Sequence, residues 1–441
     1  MSLPAYPRYK PSGVEWLGQI PQHWESAPLK RFASLVTEKG DGSRRQLGLE
    51  HVASWTGEFI ESSSDFSSNG TKFREDDILF GKLRPYLAKV GLANFEGEAV
   101  GDFHVIRSTD IEPHFLQLQM LTDWFINIVD GSTYGAKMPR ASWDFVGGVS
   151  IAVPPRHEQV AIGCFLDRET AKIDALIEEQ EKLIRLLQEK RQAVISHAVT
   201  KGLDPDAPMK PSGIDWLGDI PAHWEVKRLK HLSKVIQTGP FGSQLHSSDY
   251  ISGGIPLINP ANITEGGLRP NEENTVNEAT ADRLKEHRVQ TGDILIGRRG
   301  EMGRCAIVAT EQSGWLCGTG SMKLSLDADL INANFAVEVI KTPVMRSWLS
   351  LSSVGSTMDN LNATILGELP MTVPPLEEQA EILRTLCFTT EKLDQLIALA
   401  ERGIPLERER RAALISAAVT GKIDVRDLAA QSVKHAEEVA A

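Results

Sequence analysis

Two stretches of the chain carry a narrow apolar stripe at helical period. After Val153-Pro154-Pro155, the residues Leu166, Ile173, Leu176, Leu183, Leu187 and Val194 fall at spacings of three and four, interrupted by Glu169, Gln180 and Lys190. After Val373-Pro374-Pro375 the same stripe contains Ile382, Leu386, Leu393, Leu396, Ala400 and Leu414. Paired prolines cannot continue a preceding element, and the runs behind them begin with acidic residues, as a helix start does. So thin a stripe predicts helix packed on helix, as in a coiled coil, rather than a helix lying on a sheet. About 40 residues at 1.5 Å each make a rod of roughly 60 Å. Gly403-Ile404-Pro405 is expected to kink or break the second rod, because proline removes a backbone donor.

Elsewhere the pattern changes. Short apolar runs (Ile78–Phe80, Val149–Val153, Ile294–Ile296, Ala306–Val308, Met371–Val373) alternate with Gly-, Ser- and Asn-rich turns, which predicts short strands. Helical stretches are expected over 114–129 and 331–351, and polar, loop-rich surface over 37–70 and 238–280. The fold class is therefore α+β: two mixed α/β domains and two long antiparallel helices, in a pseudo-two-fold internal repeat.

The repeat is explicit. Residues 10–30, KPSGVEWLGQIPQHWESAPLK, and 210–230, KPSGIDWLGDIPAHWEVKRLK, share 14 of 21 positions at an offset of 200. Residues 153–204 and 373–424 match without a gap at an offset of 220. Between them lie segments of different sequence with faint echoes: Asp77–Lys82 resembles Asp293–Arg298, and Gly131-Ser132-Thr133 resembles Gly355-Ser356-Thr357. The expected boundaries are a first domain over 1–152, a long helix in 153–204, and a linker at 205–213 within the Pro-containing join Thr200–Gly213. A second domain over 214–372, a second long helix in 373–424 and a tail over 425–441 complete the layout. Two copies of one fold keep a frame and change its contents.

Composition narrows the chemistry. The 441 residues have a net charge of −12, with 24 % charged and 41 % hydrophobic, which excludes wholesale disorder and argues against a simple basic coat for nucleic acid. No apolar run is long enough to span a membrane, and the N-terminus does not read as a signal peptide. Cys164, Cys305, Cys317 and Cys387 form neither a zinc pattern nor a disulfide framework, so a cytoplasmic location is expected.

Catalytic signatures are missing. Gly81-Lys82 and Gly421-Lys422 do not sit in a phosphate-binding loop, and Asn259-Pro260-Ala261-Asn262 lacks the aromatic that would hold a flipped base. His157-Glu158-Gln159 has Ala161 where a zinc helix needs its second His. Asp204-Pro205-Asp206, upstream of Lys210, could be forced into a nuclease pattern but falls in the linker. No catalytic residue and no metal ligand is expected.

The doubled KPSG(V/I)(E/D)WLG…IP.HWE…LK motif, Gly239–Leu245, Gly254–Asn259, Lys82–Tyr86, and the doubled VPPxxEQ helices closing on Ala-Val-Thr (198–200 and 418–420) resemble the specificity (S) subunit of type I restriction–modification systems over nearly the whole chain. The resemblance implies two target recognition domains, each reading one half of a bipartite, asymmetric DNA sequence, with antiparallel helices setting the unread spacer. It further implies double-stranded DNA, two modification (methyltransferase) subunits and two restriction (motor-nuclease) subunits as partners. No cofactor is expected for this chain; S-adenosylmethionine, ATP and Mg2+ would belong to the partners. The rival readings are an enzyme with unrecognised motifs, a protein-docking scaffold, and the specificity chain of a methylation-only complex.

Base reading uses short loops that present cations, amides and hydroxyls. The candidates are Lys82, Arg84, Tyr86, Lys137 and Arg140 in the first domain, and Ser243, Gln244, Arg298, Arg299, Arg304, Thr357, Asn360 and Asn362 in the second. The His23-Trp24 and His223-Trp224 pairs, with Trp16 and Trp216, are expected to pack rather than to stack on bases, because identical residues cannot read different half-sites. Residues 31–150 hold 12 Lys+Arg against 17 Asp+Glu, and 231–370 hold 11 against 15, so either cations cluster on one face or partners supply the phosphate contacts.

Overall fold

A computed structural model describes residues 3–62, 66, 68–135, 137–353 and 360–428. It divides into two compact units, Met1–Glu181 with Glu401–Ala441, and Lys182–Ala400. Each unit holds one mixed domain and half of each long helix.

In unit 1, strands Tyr9–Pro11 and Gln19–Pro21 form an antiparallel hairpin, and Glu25–Pro28 pairs with Ser150–Val153. The four-stranded antiparallel sheet runs Ala33–Val36, Phe103–Ser108, Asp77–Gly81, Val90–Leu92, and a small sheet of Gln46–Leu47, Gly97–Ala99 and Thr71–Phe73 lies beside it in the fold. Unit 2 repeats the hairpin at Met209–Pro211 and Asp219–Pro221, and the main sheet as Ser233–Thr238, Ser321–Leu326, Ile294–Gly297, Cys305–Ile307 in the same order. Its second sheet has four strands, one pair of them parallel. The duplicated frame is thus visible as an identical strand order.

Two sequence expectations need refining. The helical stretches 114–129 and 331–351 are each two helices, Pro113–Met120 with Asp123–Gly131, and Ala333–Ile340 with Pro343–Ser352. At each break a threonine hydroxyl, Thr122 or Thr342, donates back to the carbonyl three residues earlier, which closes the first helix. The join over 205–213 is not wholly linker, because Met209–Pro211 is a strand that the hairpin partner holds in place.

The long helices are Arg156–Lys201 and Leu376–Val419. In unit 1 Asp174 meets Arg411 at 3.0 Å and Glu181 meets Arg408 at 3.6 Å, so the two run antiparallel. Arg191 and Asp394, 2.8 Å apart, continue that register within unit 2. Their ends are buried in the two cores. Ile162, Phe165, Leu166, Ile415, Ala418 and Val419 pack with Trp24 and Phe125 in unit 1. Ile195, Ala198, Val199, Ile382 and Leu386 pack with Trp224 and Phe335 in unit 2. Between those ends the stripe is half open, with Leu176, Leu183 and Leu396 about half exposed.

The expected break at Gly403-Ile404-Pro405 does not occur, and the second helix is continuous through Pro405. Pro405 points to solvent, where the unpaired Glu401 carbonyl can be hydrated, and Arg408 and Arg411 clamp the next turns to the first helix. Gly403 lets that helix approach closely: a Cβ there would lie 3.0 Å from the Gln180 Oε1. Packing overrides a local penalty of about 3 kcal/mol. Pro405→Ala restores the missing donor and is expected to stabilise the protein by about 1–3 kcal/mol. The check is a urea midpoint, and a lower midpoint would show that the ring itself contributes packing.

Candidate nucleic-acid interface

In the first domain the strand Asp77–Gly81 runs into a turn that carries Lys82, Arg84 and Tyr86. This turn is zippered to a second loop. The Ala141 N–H donates to the Lys82 carbonyl at 3.0 Å, the Arg84 N–H donates to the Pro139 carbonyl at 2.8 Å, and Leu83 bridges Arg140. The Lys82 N–H in turn donates to the Asp102 carbonyl at 2.8 Å. Five candidates, Lys82, Arg84, Tyr86, Lys137 and Arg140, therefore fall on one loop pair, with Arg84, Tyr86 and Lys137 exposed. Arg84 holds a left-handed backbone, φ +52°, an uncommon conformation for a side chain of that size. Arg140 is engaged internally: its Nε and a terminal nitrogen fork onto the Asp102 carboxylate at 2.8 and 3.0 Å, and that partner raises its pKa further.

The second domain repeats the zipper. The Arg298 N–H donates to the Gly320 carbonyl and the Leu361 N–H to the Arg298 carbonyl, both at 2.9 Å. Lys82 and Arg298 are structural equivalents, as the shared strand-turn position suggested. The Arg298 guanidinium, however, folds back onto the Leu361 carbonyl at 2.9 Å and the Asn360 Oδ1 at 3.3 Å. Burial, with Arg299 alongside, lowers its pKa. Arg299 is exposed on the same turn.

The remaining candidates divide. Arg304 pairs with Glu301 at 2.9 Å, and Arg346 binds the same carboxylate. Asn362 caps the helix Ala363–Gly367 by accepting from the Ile365 N–H at 2.9 Å. Ser243 and Gln244 lie on an exposed turn by a groove of about 480 Å³ lined by Gln237, Thr238, Phe241, Arg283 and His287. Thr357 lies outside the described residues.

The shared motifs are explained by contacts that the sequence did not reveal. Glu158, at 2 % side-chain exposure, accepts from Trp24 Nε1 and Tyr6 Oη at 3.0 Å and lies 2.6 Å from His23 Nε2. Glu378 holds Trp224 Nε1 at 3.0 Å and His223 Nε2 at 2.7 Å. The next residue of each motif is equally consistent: Gln159 accepts from the Glu112 N–H and donates to the Pro154 carbonyl, while Gln379 does the same with Asn332 and Pro374. The doubled His-Trp and Glu-Gln pairs thus form one latch that ties each hairpin to the start of a long helix. The signal for it was the co-occurrence of both motifs in both copies. Among the described residues no cluster of His, Cys, Asp and Glu could hold a metal ion, and no helix is long and apolar enough to cross a membrane.

Residues 221–407 match the family described as type I restriction modification DNA specificity domain. The chain is 26 % identical over 281 residues to the EcoBI specificity subunit of Escherichia coli, a match covering 63 % of this chain and 57 % of that relative, so it spans little more than half of the relative's length. It is 20 % identical over 432 residues to the MjaVIII specificity subunit of Methanocaldococcus jannaschii, covering 93 % and 95 % of the two chains. Its fold is similar to a chain from a solved type I R-M system (TM-score 0.65, 20 % identity, 91 % and 98 % covered). It is also similar to the HsdS subunit of Thermoanaerobacter tengcongensis (TM-score 0.55, 18 % identity, 91 % and 98 % covered). With the doubled motifs, the doubled domains and the paired helices all in place, residues 221–407 match the type I restriction modification DNA specificity domain, and the chain as a whole is similar to the specificity subunits of type I restriction enzymes.

Proposed function

We propose that this chain reads DNA for a type I restriction–modification complex, each domain recognising one half of a bipartite, asymmetric target. The observation that carries this is the zippered loop pair present in both domains: one backbone frame, presenting Lys82, Arg84, Tyr86 and Lys137 in one copy and Arg299 in the other, where the Arg298 side chain braces the loops. Equal frames with unequal side chains suit a duplex whose backbone repeats while its bases do not. The chain itself catalyses nothing in this reading. Two modification subunits bring S-adenosylmethionine, and two restriction subunits bring ATP and Mg2+.

Many of the cations are spent internally: Arg107 on Asp77, Arg140 on Asp102, Arg283 on Asp249, Arg288 on Glu278 and Asp282. Phosphate neutralisation, which dominates affinity, therefore falls largely to the partners, and this chain supplies discrimination.

The test is an exchange of residues 31–152 for the corresponding segment of a relative with a different target, followed by methylome sequencing of cells that express the complex. One half of the methylated sequence should change while the other half stays. An unchanged sequence would make the domains protein-docking modules and the chain a scaffold.

A further inference from the structure

Resting on that reading, we infer that Tyr134 is a specificity-determining residue, presented to the DNA by a braced finger whose described residues are Tyr134, Gly135 and 137–140. The two ends of the finger exchange backbone hydrogen bonds, Tyr134 N–H to the Arg140 carbonyl at 3.3 Å and Arg140 N–H to the Tyr134 carbonyl at 3.1 Å. Gly135, at φ +100°, makes the turn away from that closed pair. The base of the finger is fixed three more ways: the Arg140 fork onto Asp102, the Arg84 N–H on the Pro139 carbonyl, and His104 Nε2 at 3.0 Å from the Ala141 carbonyl.

All of this order is invested below side chains that bury little. Tyr134 is 64 % exposed, with Lys137 and Met138 exposed beside it, and Arg84 and Tyr86 exposed on the loop zippered to it. A single exposed aromatic on a surface is ordinary. An exposed aromatic, a thioether and two cations on one rigidly anchored loop pair are the mixture that meets base edges and phosphates together. Arg140, whose guanidinium is held by Asp102, acts as the brace and not as a reader.

The sequence of the second copy sharpens the choice. The zipper aligns Ala141 with Leu361, an offset of 220, and that offset sets Gly135 against Gly355 and Met138 against Met358. Val354, Gly355, Thr357 and Met358 lie outside the described residues, so this alignment is one of sequence alone. At the same offset Tyr134 becomes Val354 and Lys137 becomes Thr357. In sequence the glycine and methionine recur in both copies. Tyr134 and Lys137 belong to the contents that change, as a reader of a different half-site must. Lys137 can meet a phosphate, which carries no sequence information, whereas the Tyr134 ring and hydroxyl suit a base edge: apolar contact with a thymine methyl, or a hydrogen bond.

The experiment is methylation by the complete complex carrying Tyr134→Ala, with Tyr134→Phe beside it, on DNA targets with single base-pair changes in each half. Tyr134→Ala should flatten discrimination at one or two adjacent base pairs of the half read by the first domain, by ~10-fold or more, and leave the other half as in the parent. Tyr134→Phe separates the ring from the hydroxyl: retained preference assigns the ring, lost preference the hydroxyl. Unchanged discrimination in Tyr134→Ala would overturn the assignment, as would a uniform loss on all sequences with the melting temperature unchanged. The reading of DNA by the domain would survive either result if exchange of 31–152 still switched one half of the target.

Discussion

Glu158→Ala should destabilise the first compact unit by about 3–5 kcal/mol, the range for stranding buried hydrogen-bonding partners, while Glu378→Ala should cost the second unit only about 1–2 kcal/mol. The two carboxylates occupy equivalent positions, so the asymmetry is the informative part. Glu158 is sealed and binds three side chains, Tyr6, His23 and Trp24. Removing it leaves an indole N–H and a phenol without acceptors where water cannot enter. Tyr6, whose pKa burial and then Glu158 drive up, keeps its proton at any ordinary pH and so remains a stranded donor. Glu378 has 26 % side-chain exposure and binds two side chains, and Asp206 stands in the second copy where Tyr6 would be expected at an offset of 200. Water can replace much of what it supplies. Hydrogen exchange resolved by peptide, over 151–166 for one latch and 371–386 for the other, separates the two effects. Equal loss of protection in both variants would show that burial and the third donor do not set the cost.

The latch also shows what a sequence can and cannot disclose. Its residues were conspicuous, because His-Trp and Glu-Gln recur in both copies, and a packing role was the expectation for the aromatic pair. The link between them was hidden, since 134 residues separate Trp24 from Glu158 and nothing local couples an indole to a carboxylate that far along the chain. The long helices were legible because a stripe at three-four spacing is written in consecutive residues. Their continuity through Pro405 was not, because a proline penalty is local while the packing that offsets it, with Gly403 close to Gln180 and Arg411 on Asp174, involves residues of the other helix. Among the candidate readers, Lys82 and Arg298 could be matched from their neighbours in sequence. Arg140 and Asn362 were candidates by residue type alone and prove to be engaged, one on Asp102 and one at a helix cap. Residue type shows what a side chain can do; only its partner shows whether it is free to do it.

Leu183→Glu together with Leu399→Glu should leave the chain folded and weaken its assembly with the modification subunit by roughly 100-fold or more, since two interface anchors at about 2 kcal/mol each would be lost. Both residues lie on the long helices within unit 2, at 47 % and 61 % exposure, with Leu186 and Leu396 also about half exposed. A two-helix seam that closed on itself would cover such leucines. Here the closed parts of the seam are the buried ends, where domain residues help to cover it, and the open part presents leucine stems between charged neighbours. Apolar surface of this kind on a helix pair is what an apolar partner surface would cover. If the proposed complex forms, the modification subunit would supply that surface. Glutamates at half-exposed positions cost the free chain little, because their carboxylates reach water, but they cannot be buried against an apolar partner without a heavy desolvation penalty. The measurement is co-purification and surface-binding affinity for the modification subunit, with circular dichroism confirming the fold. Unchanged affinity in a folded double variant would move the partner's docking site off this part of the helices, and a Leu183→Gln variant, milder in its demand on folding, should show the same trend at smaller size.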